Sequence, residues 1–296
     1  MLVTVPDRLH FSRLPHGELE FSCMVMLPAA TEPNAGISWA LRPADGSGRS
    51  LAAERPIQDG ELGTGRAVLS AVLPPGWPDS VLTVDAGGDR SEREVRSFRQ
   101  EQQFGLPFDS DVLVAVGHRI GEPHRDAFDL PTQQFGWDLL PLRPGDLAVL
   151  SPGVSQPTHS ADLAGYGQPV LSPAPGVVVA VVDGIPDAEL LGAPQPPPDI
   201  NVLDWAAGNR VIIRHGSEVH SCLAHLQPGS IAVEAGQEID ARVRVGAVGS
   251  SGNVFGPHLH LHFMDGADLV TAMPLPVELT AEGETIAPTS GQIIGP

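Results

Sequence analysis

The sequence predicts a mostly β protein with two domains, a β-sandwich-like N-terminal domain (residues 1–105) and an antiparallel β domain (residues 106–296). Three observations support this prediction. A chain of 296 residues is long enough for two domains. Its 33 glycines and 30 prolines divide it into many short segments, as is typical of strands joined by turns. Its 42% of hydrophobic residues can fill two cores.

The first 105 residues contain short apolar runs at regular intervals, which predict the strands of a small sandwich. The predicted strands cover residues 19–27, 36–41, 67–73 and 80–84. The segment from Arg99 onward is rich in Arg, Gln and Glu and predicts a polar connector to the second domain. His10 and His16 stand alone, so no catalytic cluster is expected in this part of the chain.

Charge and cysteine content exclude several classes of protein. Asp and Glu (36) outnumber Lys and Arg (17), and the formal net charge of -19 disfavours binding to nucleic acid or to an anionic membrane. Cys23 and Cys222 are far apart and form neither a disulfide framework nor a Cys-x-x-Cys metal motif. The first residues lack the basic and apolar regions of a signal peptide, and no window reaches the roughly 18 apolar residues of a membrane span.

A histidine-rich strand is the strongest functional signal in the chain. Residues 256–263 read Gly-Pro-His-Leu-His-Leu-His-Phe. Side chains of a strand alternate between its two faces, so His258, His260 and His262 are expected on one face and the leucines on the other. Three imidazoles on one face indicate a metal site or a catalytic site.

Two further segments contain polar residues that could join this site. Asp138 follows Trp137 in an apolar run, where burying a carboxylate is costly unless it is paired or bound to a metal. Residues 208–226 predict a β-hairpin, and His225 lies near its end, shortly before Gln-Pro-Gly. Strand alternation places His225 on the face of Leu223, and a strand end is a favourable position for a functional side chain.

In this order, the motifs resemble those of the lysostaphin/LytM-type zinc endopeptidases, which cleave peptide bridges in bacterial peptidoglycan. The resemblance covers residues of about 112–275, and each motif is weak alone. The matching pieces are residues 167–170, 173–176, 208–215, 224–226, 236–237 and 256–260. The resemblance implies antiparallel sheets shaped into an open groove, a bound Zn²⁺, and peptidoglycan or a similar peptide as substrate. It also implies export or association with the cell wall.

The same resemblance implies roles for individual residues. Asp138 and His260 correspond to metal ligands, and His225 and His258 to the two catalytic histidines that do not bind the metal. The first histidine of the family's His-x-x-x-Asp motif is replaced by Gln134, although a catalytic zinc normally has three protein ligands.

Three explanations of this replacement stay open. In the first, a histidine of the preceding loop, His124 or His118, completes a zinc site. In the second, the domain is a degenerate, non-catalytic module that binds cell-wall peptide or regulates a partner hydrolase. In the third, the site uses another metal or binds a metal only transiently. A purely structural role would not require this set of histidines. His262 is expected beside the ligands or at the surface, while His215 and His220 are expected to be structural.

Overall fold

The computed structural model describes residues 2–5, 8–14, 17–28, 31, 35–126, 130–143, 156–189, 196 and 202–296. His16 lies outside these described residues. In the part of the chain that is described, no helix is long and apolar enough to span a membrane.

The described residues of the N-terminal part form strands and one short helix. In chain order the elements are β1 (Val3–Val5), β2 (Leu9–Arg13), β3 (Leu19–Met26), β4 (Gly36–Pro43), β5 (Leu51–Pro56), α1 (Asp59–Thr64), β6 (Arg66–Leu73), β7 (Ser80–Ala86) and β8 (Asp89–Ser97). The four predicted strands correspond to β3, β4, β6 and β7. Strands β1, β2, β5 and β8 were not predicted. The sequence of β8 is dominated by polar and charged residues, and β5 is a mostly exposed strand without an alternating apolar pattern.

The N-terminal strands form two layers that are joined through β2. One layer has β3 between β6 on one side and β1 and β2 on the other, and the second continues from β2 through β8, β7, β4 and β5. Strands β2 and β8 are parallel, whereas the other pairs are antiparallel. Phe21 and Val25 of the first layer share one buried cluster with Ile37 and Leu82 of the second. This is the predicted sandwich-like arrangement, in which apolar faces of both layers form the core.

The C-terminal part of the chain is also built mainly of strands. Its strands are β9 (Phe104–Gly105), β10 (Val112–Val116), β11 (Trp137–Pro141), β12 (Pro169–Leu171), β13 (Gly176–Val182), β14 (Asn209–His215), β15 (Val219–Leu226), β16 (Glu238–Ile239), β17 (Arg244–Ala247), β18 (Leu259–Met264), β19 (Leu279–Ala281), β20 (Glu284–Ile286) and β21 (Ile293–Ile294). Its helical elements are two 3-10 turns, Pro131–Gln133 and Ser160–Asp162, and the helix α2 (Val202–Ala207). The predicted hairpin corresponds to β14 and β15.

One antiparallel sheet of eight strands carries the residues of the predicted site. Its order is β16-β13-β14-β15-β18-β11-β10-β21, so β18 lies between β15 and β11. Two smaller sheets, β12-β17 and β20-β19-β9, accompany it. Trp137, Leu223, Leu261 and Phe263 belong to its buried core. The mostly β fold class is therefore confirmed.

The predicted polar connector is only partly a connector. Phe104 lies in β9, which pairs in parallel with β19, and Phe104, Leu106 and Phe108 are buried in the C-terminal core. The prediction was wrong here because the polar residues from Arg99 onward conceal an alternating apolar pattern that begins at Phe104. The division between residues 1–105 and 106–296 stays a prediction.

Polar side chains connect the N-terminal and C-terminal parts of the chain. Arg8 forms an ion pair of 2.9 Å with Asp265, and Arg13 lies 3.5 Å from the carboxylate of Glu278. The amide of Gln100 donates to the backbone carbonyl of Glu278 (3.0 Å) and accepts from its backbone N–H (2.8 Å).

Candidate metal and catalytic site

The predicted site forms where β11 and β18 pair. Asp138 and His260 are direct partners in the antiparallel register, so both side chains project from the same face. Two residues before Asp138 the chain has a glycine, Gly136, which carries no side chain. A Cβ on Gly136 would lie 2.9 Å from Cε1 of His260, which is closer than real contacts of this kind. Gly136 therefore leaves the space that the His260 ring occupies.

Three imidazoles converge on one oxygen of Asp138. Its Oδ1 lies 2.9 Å from Nε2 of His124, 2.9 Å from Nδ1 of His260 and 3.4 Å from Nε2 of His258. One ligand atom each from His124, Asp138 and His260 lies within 4.8 Å of the others. All four side chains are mostly buried, with exposed fractions between 4% and 18%. Two imidazoles and one carboxylate are a donor set that suits a catalytic zinc.

The charges of this cluster are strongly interdependent. Burial would raise the pKa of Asp138, but the nearby His258 and hydrogen bonds with three imidazoles hold it well below its usual range. Burial lowers the pKa of His258, yet the Asp138 carboxylate and the Gly256 carbonyl outweigh burial and raise it. Asp138 is thus an anion at neutral pH, and its carboxylate favours the protonated form of His258.

His225 reaches the cluster through an unusual backbone conformation. Its φ is 63°, in the left-handed region that residues other than glycine rarely adopt. Its ring centroid lies 4.9 Å from that of His258 and 5.9 Å from that of His260. The prediction that His225 shares the face of Leu223 was therefore wrong, because regular alternation ends where φ becomes positive.

The orientation of the His225 ring is fixed by a backbone carbonyl. Nδ1 of His225 lies 2.9 Å from the oxygen of Ser251, so this nitrogen carries the proton and donates it. Burial and the neighbouring histidines lower the pKa of His225 well below its usual value. His225 is therefore neutral, with an unprotonated Nε2. The sequence pattern does not identify Ser251, since it acts here through its backbone.

His260 is held from both sides of its ring. Nδ1 contacts Asp138, while Nε2 lies 3.0 Å from Nδ1 of His262. Burial lowers the pKa of His260 to about 4 and that of His262 well below its usual value, so both rings are neutral. His262 is 2% exposed and lies beside a predicted ligand, as one of its two predicted placements requires, and not at the surface.

The two candidate replacements for the missing histidine lie in different places. His124 contacts Asp138, whereas His118 is buried with its ring against those of Phe135 and Trp137. Among the described residues, neither nitrogen of His118 has a hydrogen-bond partner. Burial and the nearby charge of Arg125 lower its pKa to about 3. The structure thus brings His124, and not His118, to the carboxylate.

Buried polar groups support the hairpin from which His225 projects. Asn209 accepts a hydrogen bond from the backbone N–H of Ile185 (2.8 Å), and its amide donates to the carbonyls of Ile185 (2.8 Å) and Leu226 (3.0 Å). His215 bonds to the carbonyl of Pro175 (2.8 Å) and to the hydroxyl of Ser221 (2.8 Å). These contacts tie the two ends of the hairpin to neighbouring loops.

A protein-family model matches part of the chain. Residues 156–272 match the model of Peptidase family M23, which confirms the predicted resemblance over this segment. His225, His258 and His260 lie inside the matched segment, whereas His124 and Asp138 precede it.

Two curated relatives and a number of solved structures show similarity. The peptidoglycan DD-endopeptidase ShyA of Vibrio cholerae is 39% identical over 67 residues, which are 23% of this chain and 15% of the relative. An uncharacterized metalloprotease of Haemophilus influenzae is 31% identical over 121 residues, which are 41% of this chain and 21% of the relative. The chain thus matches about a fifth or less of the length of these relatives.

Two of the similar solved structures are the catalytic domain of the prophage-encoded M23 protein EnpA of Enterococcus faecalis and a zinc-containing peptidase of Vibrio cholerae. The first has 20% identity and a TM-score of 0.34, and the alignment covers 58% of this chain and 94% of that one. The second has 14% identity and a TM-score of 0.31, with 88% and 80% covered. Scores this low carry no argument about function.

Proposed function

Since residues 156–272 match Peptidase family M23, we propose that this protein is a zinc-dependent endopeptidase that acts on peptides of peptidoglycan. The observation that carries the proposal is the convergence of His124 and His260 on Asp138, with His225 and His258 beside them. The substrate is proposed because one similar protein is named as a peptidoglycan endopeptidase.

His124, Asp138 and His260 are the proposed zinc ligands. The fit rests on the donor set and on the separation of at most 4.8 Å between its ligand atoms. A bound Zn²⁺ would lower the pKa of a coordinated water and polarise the scissile carbonyl. Hydrogen bonding to His262 leaves Nδ1 of His260 free to face Asp138, so His262 would orient this ligand.

His225 and His258 are proposed to handle the proton and the developing charge. Nδ1 of His225 donates to Ser251, and its free Nε2 can accept a proton from the attacking water. Nδ1 of His258 donates to the carbonyl of Gly256, and its protonated Nε2 can donate a hydrogen bond to the oxyanion. Two backbone carbonyls thus fix the orientation of both rings.

A non-catalytic module that binds cell-wall peptide or regulates a hydrolase is the second candidate. The observation that favours it is Gln134, where the family pattern has a metal-binding histidine. The side chain of Gln134 is buried, and its Nε2 has no hydrogen-bond partner among the described residues. The two candidate functions predict different results for zinc binding. They also predict different effects of the loss of His225 on turnover.

Zinc stoichiometry tests the metal site. Elemental analysis of protein purified without chelator should give about one zinc per chain, as expected for a three-ligand catalytic site. The variants Asp138→Ala and His124→Ala should lose it. His159→Ala is the matched control, because His159 is exposed and takes no part in the cluster. Absence of zinc after equilibration with micromolar metal would refute the enzyme proposal.

Turnover of purified sacculi tests the catalytic residues. His225→Ala should keep its zinc and lose roughly 10²–10⁴-fold in the release of soluble peptide fragments, the range for a proton-transferring group. If His225→Ala and the parent protein both fail to release fragments but sediment equally with sacculi, the second candidate replaces the first.

A further inference from the structure

Arg125 is a buried cation between the N-terminal strands and the proposed metal site. It is 1% exposed, and its Nε donates a hydrogen bond of 2.7 Å to the hydroxyl of Ser22 in β3. Its guanidinium carbon lies 4.5 Å from the centre of the Phe135 ring, a cation–π contact. Its two terminal nitrogens have no hydrogen-bond partner among the described residues.

Such an arrangement is a poor source of stability. Removing a guanidinium from water costs several kcal/mol, and one hydrogen bond and one ring contact recover only part of that cost. The charge of Glu20, also buried in β3, attracts Arg125 without a direct hydrogen bond. A methionine would fill much of the same space without the charge. This suggests that Arg125 has a role other than stabilising the fold.

The neighbour of Arg125 in the chain indicates what that role is. His124 contacts Asp138, while Arg125 contacts Ser22, so consecutive side chains join the metal site to the N-terminal strands. The start of the same loop is also held, because Glu122 accepts hydrogen bonds from the backbone of Gly117 (2.6 Å) and from the hydroxyl of Ser290 (2.6 Å). Of the two residues that hold this loop, Arg125 and Glu122, Arg125 is the nearer to His124 in the sequence.

We propose that Arg125 is a positioning residue, through which β3 holds the loop that places His124 against Asp138. Through this contact, the N-terminal strands would hold His124 in place as the substitute for the metal-binding histidine that Gln134 replaces. The inference rests on the proposed function in so far as His124 is a zinc ligand. The anchoring of the loop itself does not depend on zinc.

Zinc affinity, measured by competition with a chelating dye, tests the positioning. Arg125→Met should weaken zinc binding by about 10–100-fold, the usual effect of losing a residue that orients a ligand. Arg119→Met is the matched control, because Arg119 lies in the same loop but is exposed. Ser22→Ala removes the hydrogen-bond partner alone and should weaken binding in the same direction. If Arg125→Met does not fold, the zinc affinity of Ser22→Ala tests the proposal in its place.

A double-mutant cycle separates positioning from a general effect on the fold. His124→Ala loses its zinc on purification, but Asp138 and His260 should still bind zinc weakly when it is added in excess. Arg125 acts through His124 under this proposal, so Arg125→Met should cause no further loss of this residual affinity in a His124→Ala background. The thermal midpoint of metal-free Arg125→Met should change little, because removal of the buried charge and loss of its attraction to Glu20 act in opposite directions. Equal losses with and without His124 would overturn the proposal.

Hydrogen exchange of the metal-free protein distinguishes the two possible failures. Arg125→Met should increase exchange in peptides that cover residues 118–126. If the parent binds no zinc and the exchange still increases, the proposed function fails and the anchoring stands. If the parent binds zinc, while Arg125→Met changes neither zinc affinity nor exchange, the anchoring is refuted and the proposed function stands.

Discussion

Replacing His118 by phenylalanine should make the protein more resistant to acid. Both nitrogens of His118 are buried without partners among the described residues, and its ring packs against Phe135 and Trp137. Phenylalanine keeps the aromatic contacts and removes two unsatisfied polar atoms. At neutral pH, we expect the free energy of unfolding to rise by about 1 kcal/mol, since a buried unsatisfied group costs about 1–3 kcal/mol.

The larger effect depends on pH. The pKa of His118 is about 3 in the folded protein, against 6.5 for an unperturbed histidine. Between these values the unfolded chain binds a proton that the folded protein does not, so stability falls as the pH falls from 6.5 to about 3. The shift corresponds to about 5 kcal/mol at 1.36 kcal/mol per pKa unit. Above pH 6.5, His118 is neutral in both states and the pH dependence ends.

Urea unfolding of metal-free protein at several pH values measures this difference. The advantage of His118→Phe over the parent should grow by about 1.4 kcal/mol per unit as the pH falls below 6.5. His159→Phe controls for the loss of an exposed imidazole. An advantage that does not change with pH would refute the assignment of His118 as a buried neutral group. Loss of bound zinc in His118→Phe would contradict the choice of His124 as the third ligand.

Three further substitutions test the support of the site. Asn209→Ala removes three buried hydrogen bonds and should lower the free energy of unfolding by about 3 kcal/mol, at about 1 kcal/mol each; a loss below about 1 kcal/mol in urea unfolding would contradict this. His262→Phe should weaken zinc binding by about 10–100-fold, since it removes the hydrogen-bond partner of Nε2 of His260. His262→Gln keeps a polar side chain that can bond to this nitrogen, and equal affinity in both variants would exclude this role. Gly208→Ala, with φ of 64° and a new Cβ 2.4 Å from a backbone oxygen, should cost about 3 kcal/mol or more in thermal unfolding. Gly216→Ala, with φ of 68° and open space, measures the backbone strain alone.

Local sequence patterns predicted much of the C-terminal part. Period-two alternation placed His260 and His262 on one face, and the hairpin was predicted at 208–226. The structure adds what no local pattern contains. The choice between His118 and His124 depends on the path of a loop, and Arg125 meets Ser22 across 103 residues of sequence. His225 departed from alternation because tertiary contacts can hold a backbone in a conformation that its residue type disfavours.

The separation of the proposed ligands along the chain has a consequence for folding kinetics. Asp138 and His260 are 122 residues apart, and they meet only when β18 has paired with β11. Contacts between residues so distant in sequence close slowly, since a long loop must first lose its freedom. A cation that needs both residues would therefore bind after the barrier to folding has been crossed. Binding of this cation would therefore slow unfolding and leave the folding rate unchanged.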